Sequence, residues 1–469
     1  LHVRSRRQRQ MCIRDSRYTV NGTARYEGTN RMGKSRSARW LPTWNVSGAW
    51  NAHEEKFFSN LTSVLSHFTL KASYSLTADR GPADVTNSQA IITSYSPYRP
   101  FTSIQESGLY IKELENSELT YEKKHELNIG ADMGFLNNRI NLAVDWYKRN
   151  NYDLIGIVNT QGAGGQILKY ANIASMKSHG IEFTLSTKNI KTKDFNWNTD
   201  FIFSNAKNEV TDLKQNANVM ELISGNGFAK QGYPVRGLFS IPFVGLDKDG
   251  IPVIINEKGE ATSTDINFQE RQNTGFLKYE GPTDPTITGS LGNMFSYKGF
   301  RLNLFITYSF GNVIRLNPVF KAYYSDLTAM TREFKNRWTL PGDEAKTNVP
   351  AILSKRMYDS NEDLKYAYNA YNYSTERIAK GDFIRLKEIS LAYDFPKAWI
   401  NPLKLTDLSL KVQATNLFLI YADDKLNGQD PEFFNAGGVA SPVPRQFTIT
   451  LRLGSVSYTH LTLPTTPYV

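Results

Sequence analysis

Cysteine is almost missing from this chain: one residue, Cys12, stands in 469. A body without cysteine excludes disulfides, thiol catalysis and Cys-ligated zinc. Histidine is nearly as sparse, with six in all. Those at 53, 67, 125 and 179 stand singly, and none shows the H-x-x-x-H spacing that holds a metal. No run approaches the ~18 consecutive apolar residues of a transmembrane helix. The start shows no charged n-region, apolar h-region and cleavage site, so no signal peptide is visible; if the protein is exported, its true beginning is missing. A strong excess of one charge is missing too. The net charge is +10, but five arginines against Asp15 in LHVRSRRQRQMCIRDS carry much of it. The remainder is too modest for the length to point to nucleic acid.

Both ends break the pattern of the rest. MCIRDS and VSYTHLTLPTTPYV resemble translated sequencing-adapter read-through. Residues 1–16 and 456–469 are therefore set apart from fold reasoning, leaving 17–455 as one β-rich body.

What the body has is alternation. In HELNIGADMGF, Leu127, Ile129, Ala131, Met133 and Phe135 share one parity, opposite Glu126, Asn128, Gly130 and Asp132. After Asn137 and Asn138, RINLAVDWYKR places Ile140, Leu142, Val144 and Trp146 opposite Asn141, Ala143 and Asp145, which predicts a hairpin. Similar rows begin at Phe68, Ile181, Phe195, Leu302, Leu408 and Phe447. Helical periodicity is confined to about 325–340, so the fold class expected is all-β. The apolar runs mostly last roughly 9 to 11 residues, and several end in aromatics such as Trp146 with Tyr147, or Tyr308 with Phe310. Long polar segments at 77–118, 205–285 and 311–380 alternate with short turns. A soluble sandwich turns its apolar rows inward and uses shorter strands. The pattern here fits an antiparallel transmembrane barrel, with apolar rows facing lipid and polar rows facing the lumen.

GDFIRLKEISLAYDFP (381–396) contains a slip. Ile384 and Leu386 have one parity; Ile389, Leu391, Tyr393 and Phe395 have the other. A bulge at Lys387–Glu388 would keep all of them on the outer face and aim Arg385 at the lumen or rim.

Catalytic constellations are not found. Glu388 and Asp394 share a strand face, but six residues along a strand is roughly 20 Å, too far for glycoside hydrolysis. TQGAGGQ (160–166) lacks the GK[ST] of a phosphate loop and reads as a flexible tip. LDKDG, with Asp247, Asp249 and Gly250, lacks the later Glu of a calcium loop and reads as a turn.

The placed strands resemble the C-terminal barrel of the SusC-type (SusC/RagA) TonB-dependent outer-membrane transporters of Bacteroidota. RYEGTNRMGKSRSARWLPTWNVSGAW resembles a family segment through Arg25, Glu27, Gly28, Trp40, Pro42 and Trp50. NSELTYEKKHELNIGADMGFLNNRINLAVDWY does so through Glu122, with Tyr121 where tryptophan is commoner. NIASMKSHGIEFTL matches through Gly180, Ile181 and Glu182, and NRWTLPGDEAKTNVP through Arg337, Trp338 and Pro350. The last third is most similar. Arg385, Leu386, Lys387, Leu391, Tyr393 and Pro396 are followed by Asn416, Leu417 and Tyr421 in QATNLFLIY. Asp430, Pro431 and Glu432 in NGQDPE come next, then PVPRQFTITLRL. These matching positions are structural motif residues; no catalytic, metal or cofactor residue is assigned.

The resemblance implies part of a 22-stranded plugged barrel, a SusD-like surface lipoprotein as partner, outer-membrane lipid as surroundings, and TonB-powered import of oligosaccharides or peptides. The signal peptide, the plug, the TonB box and the first strands are not seen in this chain, and the closing strand lacks a terminal aromatic. INEKGEATSTD (255–265) lacks the acidic core that family members often carry there, which puts a metal in doubt. Aromatic and polar groups in 321–327 and in NAYNYS (369–374) are candidates to hold solute. The alternatives are a siderophore or metal-chelate receptor on the same barrel, and a soluble adhesin or secreted β-enzyme.

Overall fold

Side chains that alternate polar and apolar commit the backbone to extended structure, because only a period of two keeps each kind on its own face. The computed structural model describes residues 5–13, 17–81, 89–96, 107–162, 167–225, 229–319, 331–434 and 444–454. It runs through β1 (Ser5–Ile13), β2 (Tyr18–Gly28), β3 (Trp40–Asn51) and β4 (Leu65–Asp79), then a small hairpin of β5 (Ile91–Tyr95) and β6 (Gly108–Glu113). Next come β7 (Glu122–Phe135), β8 (Ile140–Asn159), β9 (Leu168–Lys191) and β10 (Phe195–Leu213). An insertion holds β11 (Gly237–Ser240), β12 (Phe243–Leu246), β13 (Pro252–Ile255), β14 (Ala261–Thr262) and β15 (Lys278–Pro282). β16 (Ile287–Tyr297) and β17 (Phe300–Phe310) follow, then a second insertion with β18 (Val313–Arg315) and β19 (Ile378–Lys380). β20 (Phe383–Asp394), β21 (Asp407–Ala422) and β22 (Gln446–Gly454) complete the order.

Thirteen strands form one antiparallel sheet in the order β1-β2-β3-β4-β7-β8-β9-β10-β16-β17-β20-β21-β22. The all-β antiparallel wall expected from the sequence is therefore present, and it is not closed: β1 and β22 are its two edges. β1 lies within the segment set apart on composition; it pairs in register with β2 from Ser5 opposite Tyr26 to Ile13 opposite Tyr18. Residues 456–469 lie outside the described residues.

The ladder extends the alternation across the wall. Leu70, Ala131, Val144, Phe183, Phe203, Gly289, Tyr308, Ile384 and Tyr421 are partners in succession across nine strands. The adjoining row is Lys71, Gly130, Asp145, Glu182, Ser204, Thr288 and Ser309. One row suits hydrocarbon and the next suits water, and a slip of one residue would exchange them. Along β17, Phe300 and Tyr308 mark two aromatic levels. They are eight residues apart, about 27 Å along the strand, or roughly 20 Å across a membrane at the usual tilt.

The connections alternate in size. Short turns at 136–139, 192–194 and 298–299 lie at one end, and 80–121, 214–286 and 311–382 at the other. In the first turn Leu136, Asn137 and Asn138 all have positive φ (51° to 57°), a region that asparagine tolerates better than most residues.

Two expectations are corrected. First, β8, β9 and β10 have 20, 24 and 19 residues, about twice the apolar runs. Their far halves continue the backbone ladder past the apolar band, where residues such as Asn150, Asn151, Asn208 and Glu209 no longer alternate. Second, 325–340 is not a helix where it is described: Arg332–Asn336 makes a 3-10 turn, and α-helices lie at Val219–Ser224, Lys355–Ser360 and Leu364–Asn372. The apparent period at 332–336 reflects Phe334, which is buried under the loops.

Open edges generate a prediction. Each unpaired backbone group facing hydrocarbon costs several kcal/mol, so the chain expressed alone will not insert as a closed barrel. Gel migration unchanged by boiling and rapid proteolysis in lipid vesicles are the expected results.

Candidate functional site at the inner wall and loop assembly

The slip in GDFIRLKEISLAYDFP is a bulge. Opposite β17, Glu388 faces Phe305 and Leu386 faces Ile306, so Lys387 is left over. Opposite β21, Leu386 meets Phe418 and Glu388 meets Thr415. β21 therefore carries an extra residue at the same level, and Asn416 has φ 54°. The paired irregularity keeps Ile384, Leu386, Ile389 and Leu391 on one face and puts Arg385, Glu388 and Ser390 on the other, with Arg385 and Ser390 buried. Tyr393, on the outer side, packs on Phe300 with ring centroids 4.4 Å apart.

Arg385 then meets the second family-like motif. Its Nη2 donates to both carboxylate oxygens of Asp430, at 2.5 and 2.6 Å, and lies 3.3 Å from Glu432 Oε2. Asp430 Oδ1 also accepts from the Glu432 backbone N–H, and buried Pro431 opens the 3-10 turn between them. Residues 45 positions apart thus pin the β21–β22 connection to the inner wall.

The remaining motif positions are local fittings. Arg25 pairs with Glu27. A Cβ on Gly28 would stand 2.6 Å from the Trp40 ring, which stacks on Tyr26. Glu122 Oε1 accepts from the Ile155 N–H at 2.8 Å. Gly180 lies under Tyr147, where a Cβ would be 2.5 Å from the hydroxyl and 2.6 Å from the Asn205 carbonyl. Glu182 accepts from Ser204 at 3.5 Å. Sequence reasoning missed Asn172, whose side chain accepts from the Thr120 N–H and donates to the carbonyls of Thr120 and Asp153. Its signal was present as the first residue of NIASMKSHGIEF.

On the inner face, ions pair across strands: Lys71 with Asp132, Arg149 with Glu126, and Lys411 with Glu388; Lys124, on the same strand as Glu126, joins it. Near the long-loop rim a cavity of ≈ 410 Å³ is lined by Arg25, Glu27, Thr43, Thr77, Asp79, Arg80 and Tyr121, among others. Among the described residues neither Asp79 nor Arg80 has an ion-pair partner.

The two insertions interlock into one body. Val219, Leu222, Ile223, Phe239, Ile241 and Ala370 share a buried core. Ile241 exchanges backbone hydrogen bonds with the 373–375 segment. Arg377, 1% exposed, pairs with Glu333 and donates to the Asn317 carbonyl. Arg315 donates to the Phe239 carbonyl, and burial lowers its pKa to about 10, so it stays charged at neutral pH. The NAYNYS candidates are corrected here: Ala370, Tyr371, Asn372 and Ser374 are buried in this body rather than presented to solute. Residues 321–327 lie outside the described residues.

The metal-like loops are turns with their oxygens engaged. Asp247 Oδ1 accepts from the N–H groups of Asp249 and Ile251, and Gly250 (φ 75°) lies beneath the Trp338 ring. Asn256 caps Lys258 and Glu260, while Lys258 pairs with Asp265 at 2.8 Å. His53 and His67, read as isolated, meet with rings 4.1 Å apart. Among the described residues no group of three or more metal-ligating side chains gathers around them. TQGAGGQ is described only through Gly162.

Two substitutions test these contacts in the full-length protein. Arg385→Ala leaves Asp430 unpaired beside a buried gap, and breaking such a pair costs about 3–5 kcal/mol; the unfolding midpoint of the folded, heat-modifiable species falls accordingly. Gly180→Ala overpacks the wall by about 1–3 kcal/mol. Adding Tyr147→Phe recovers only part of that loss, because the Asn205 carbonyl remains in contact.

Comparison with known proteins agrees with this geometry. Residues 8–417 match the family described as TonB dependent receptor-like, beta-barrel. The chain is 25% identical to TonB-dependent receptor P3 of Formosa agariphila, over 89% of this chain and 40% of that protein. It is 26% identical to TonB-dependent receptor SusC of Bacteroides thetaiotaomicron, over 93% and 42%. The chain thus spans about two fifths of the length of these relatives. In fold it resembles the RagAB peptide transporter, with a TM-score of 0.73 at 23% identity, covering 93% of this chain and 45% of that one. The chain belongs to the TonB-dependent receptor β-barrel family, a family of outer-membrane receptors and transporters rather than enzymes.

Proposed function

We propose that the chain supplies the C-terminal wall and outer loops of an energised importer of oligosaccharides or peptides. One observation carries this reading: a polar inner row and an apolar outer row run side by side through the wall, with every large insertion at one end. Such a wall conducts solute; it needs no bond chemistry. The RagAB neighbour, described as a peptide transporter, supports the peptide part of this reading, and the SusC relative supports a TonB-dependent receptor. A SusD-like lipoprotein would cap the loop assembly. TonB would act through the part of the relatives' length that this chain does not cover.

The rim cavity is the proposed solute contact within the chain. Arg80 and Asp79 can each engage a polar solute without breaking an ion pair, and Tyr121 adds an aromatic wall. Cells carrying Arg80→Ala and Asp79→Ala in the full-length protein should take up solute with a raised half-saturation concentration and unchanged protein level in the outer membrane. Deleting the gene should abolish growth on one oligosaccharide or peptide mixture. Undiminished growth on every such mixture would overturn the proposal.

A further inference from the structure

The short-turn rim carries a charge pattern that transport does not use. Four successive turns join β7 to β8, β9 to β10, β16 to β17 and β20 to β21. Each presents an exposed cation, Arg139, Lys193, Lys298 and Lys404, and the last turn carries Lys397 as well. Among the described residues none of the four has an ion-pair partner. The Arg139 side chain donates to the carbonyls of Lys188 and Asn189. Asp194 is the one carboxylate within these turns. The flanking Asp394 and Asp407 are taken by Arg301 and Lys397, at 2.8 and 3.3 Å. Adjacent turns lie two strands apart, so the cations recur on the order of every 10 Å along the rim.

Two of these lysines occupy costly backbone. Lys298 has φ 44° and Lys404 φ 55°, positions where glycine or asparagine is less strained. Apolar groups accompany them on the outer side. Tyr297, Phe300, Trp399 and Leu403 are exposed, Lys298 Nζ lies 5.3 Å from the Tyr297 ring centroid, and Phe395 joins Tyr393 to Trp399. The patch is therefore continuous with the lipid-facing rows of the wall. Exposed aromatics beside long cationic side chains are the chemistry of a membrane interface, where rings sit at headgroup level and lysines reach phosphate.

We propose that these four turns form an arc that selects anionic phospholipid headgroups of the adjoining leaflet. Short turns face the periplasm in barrels of this kind, so the lipid is that of the periplasmic leaflet. The inference rests on the membrane placement of the wall and not on the imported solute.

The test uses full-length protein in nanodiscs made from phosphatidylglycerol and phosphatidylcholine, with retained lipid measured by mass spectrometry. Wild-type protein should enrich phosphatidylglycerol, and each cation removed should lower that enrichment about fivefold. Lys298→Asn and Lys404→Asn suit the left-handed backbone, so a Lys193→Gln/Lys298→Asn/Lys404→Asn variant should stay heat-modifiable and import solute normally. Lys298→Asn alone provides a second, milder step. Equal enrichment in wild-type and triple variant would overturn the proposal. So would complete displacement of the lipid by inorganic phosphate, which would mark a soluble-anion site.

Discussion

Hydrocarbon offers no hydrogen bonds, and that constraint organises the whole chain. Every backbone N–H and C=O in the apolar band must find a partner within the sheet. The wall therefore runs as one continuous antiparallel sheet of thirteen strands, with bulges that keep the pairing. Once the ladder is fixed, the pleat sends neighbouring residues to opposite solvents. The row from Leu70 to Tyr421 and the row from Lys71 to Ser309 follow from the same register.

Departures from the ladder fall both in the far halves of the long strands and within the band between Phe300 and Tyr308. β8, β9 and β10 shift register around Tyr152–Asp153, Ser175 and Thr211. β20 and β21 do so at Lys387 and Asn416. A bulge bends a strand and increases its twist without abandoning the pairing. At the first level Lys123 pairs with Asp153 at 2.7 Å and Asn172 ties Asp153 to Thr120, so the irregular backbone is held. At the second, Arg385 faces inward and receives Asp430.

Above the band, water returns and ordinary core formation takes over. The interlocked insertions bury Leu222, Ile241 and Tyr371 and neutralise Arg377 with Glu333. Removing one partner of such a pair would leave an uncompensated buried charge. Loops of this length would otherwise sample many arrangements; here their described parts are held against one another by a shared core.

The alternation of Leu127 to Phe135 and Ile140 to Trp146 determined strand, face and hairpin without any structure, because period two is a local property. The bulge at Lys387 was legible for the same reason: a change of parity is visible in one strand. Its counterpart at Asn416 was not, since the cross-strand register reveals it. Beyond the apolar band, the far halves of β8 to β10 carry no alternation because both faces are polar, so their length could not be read. The burial of 369–374 and the meeting of Arg385 with Asp430 and Glu432 were equally hidden. Contacts between residues tens of positions apart depend on which loops stack above which strands. The sequence by itself determined the wall and its two faces; the tertiary structure decided how the loops pack on one another and on the wall, because only packing brings distant charges and rings within reach of one another.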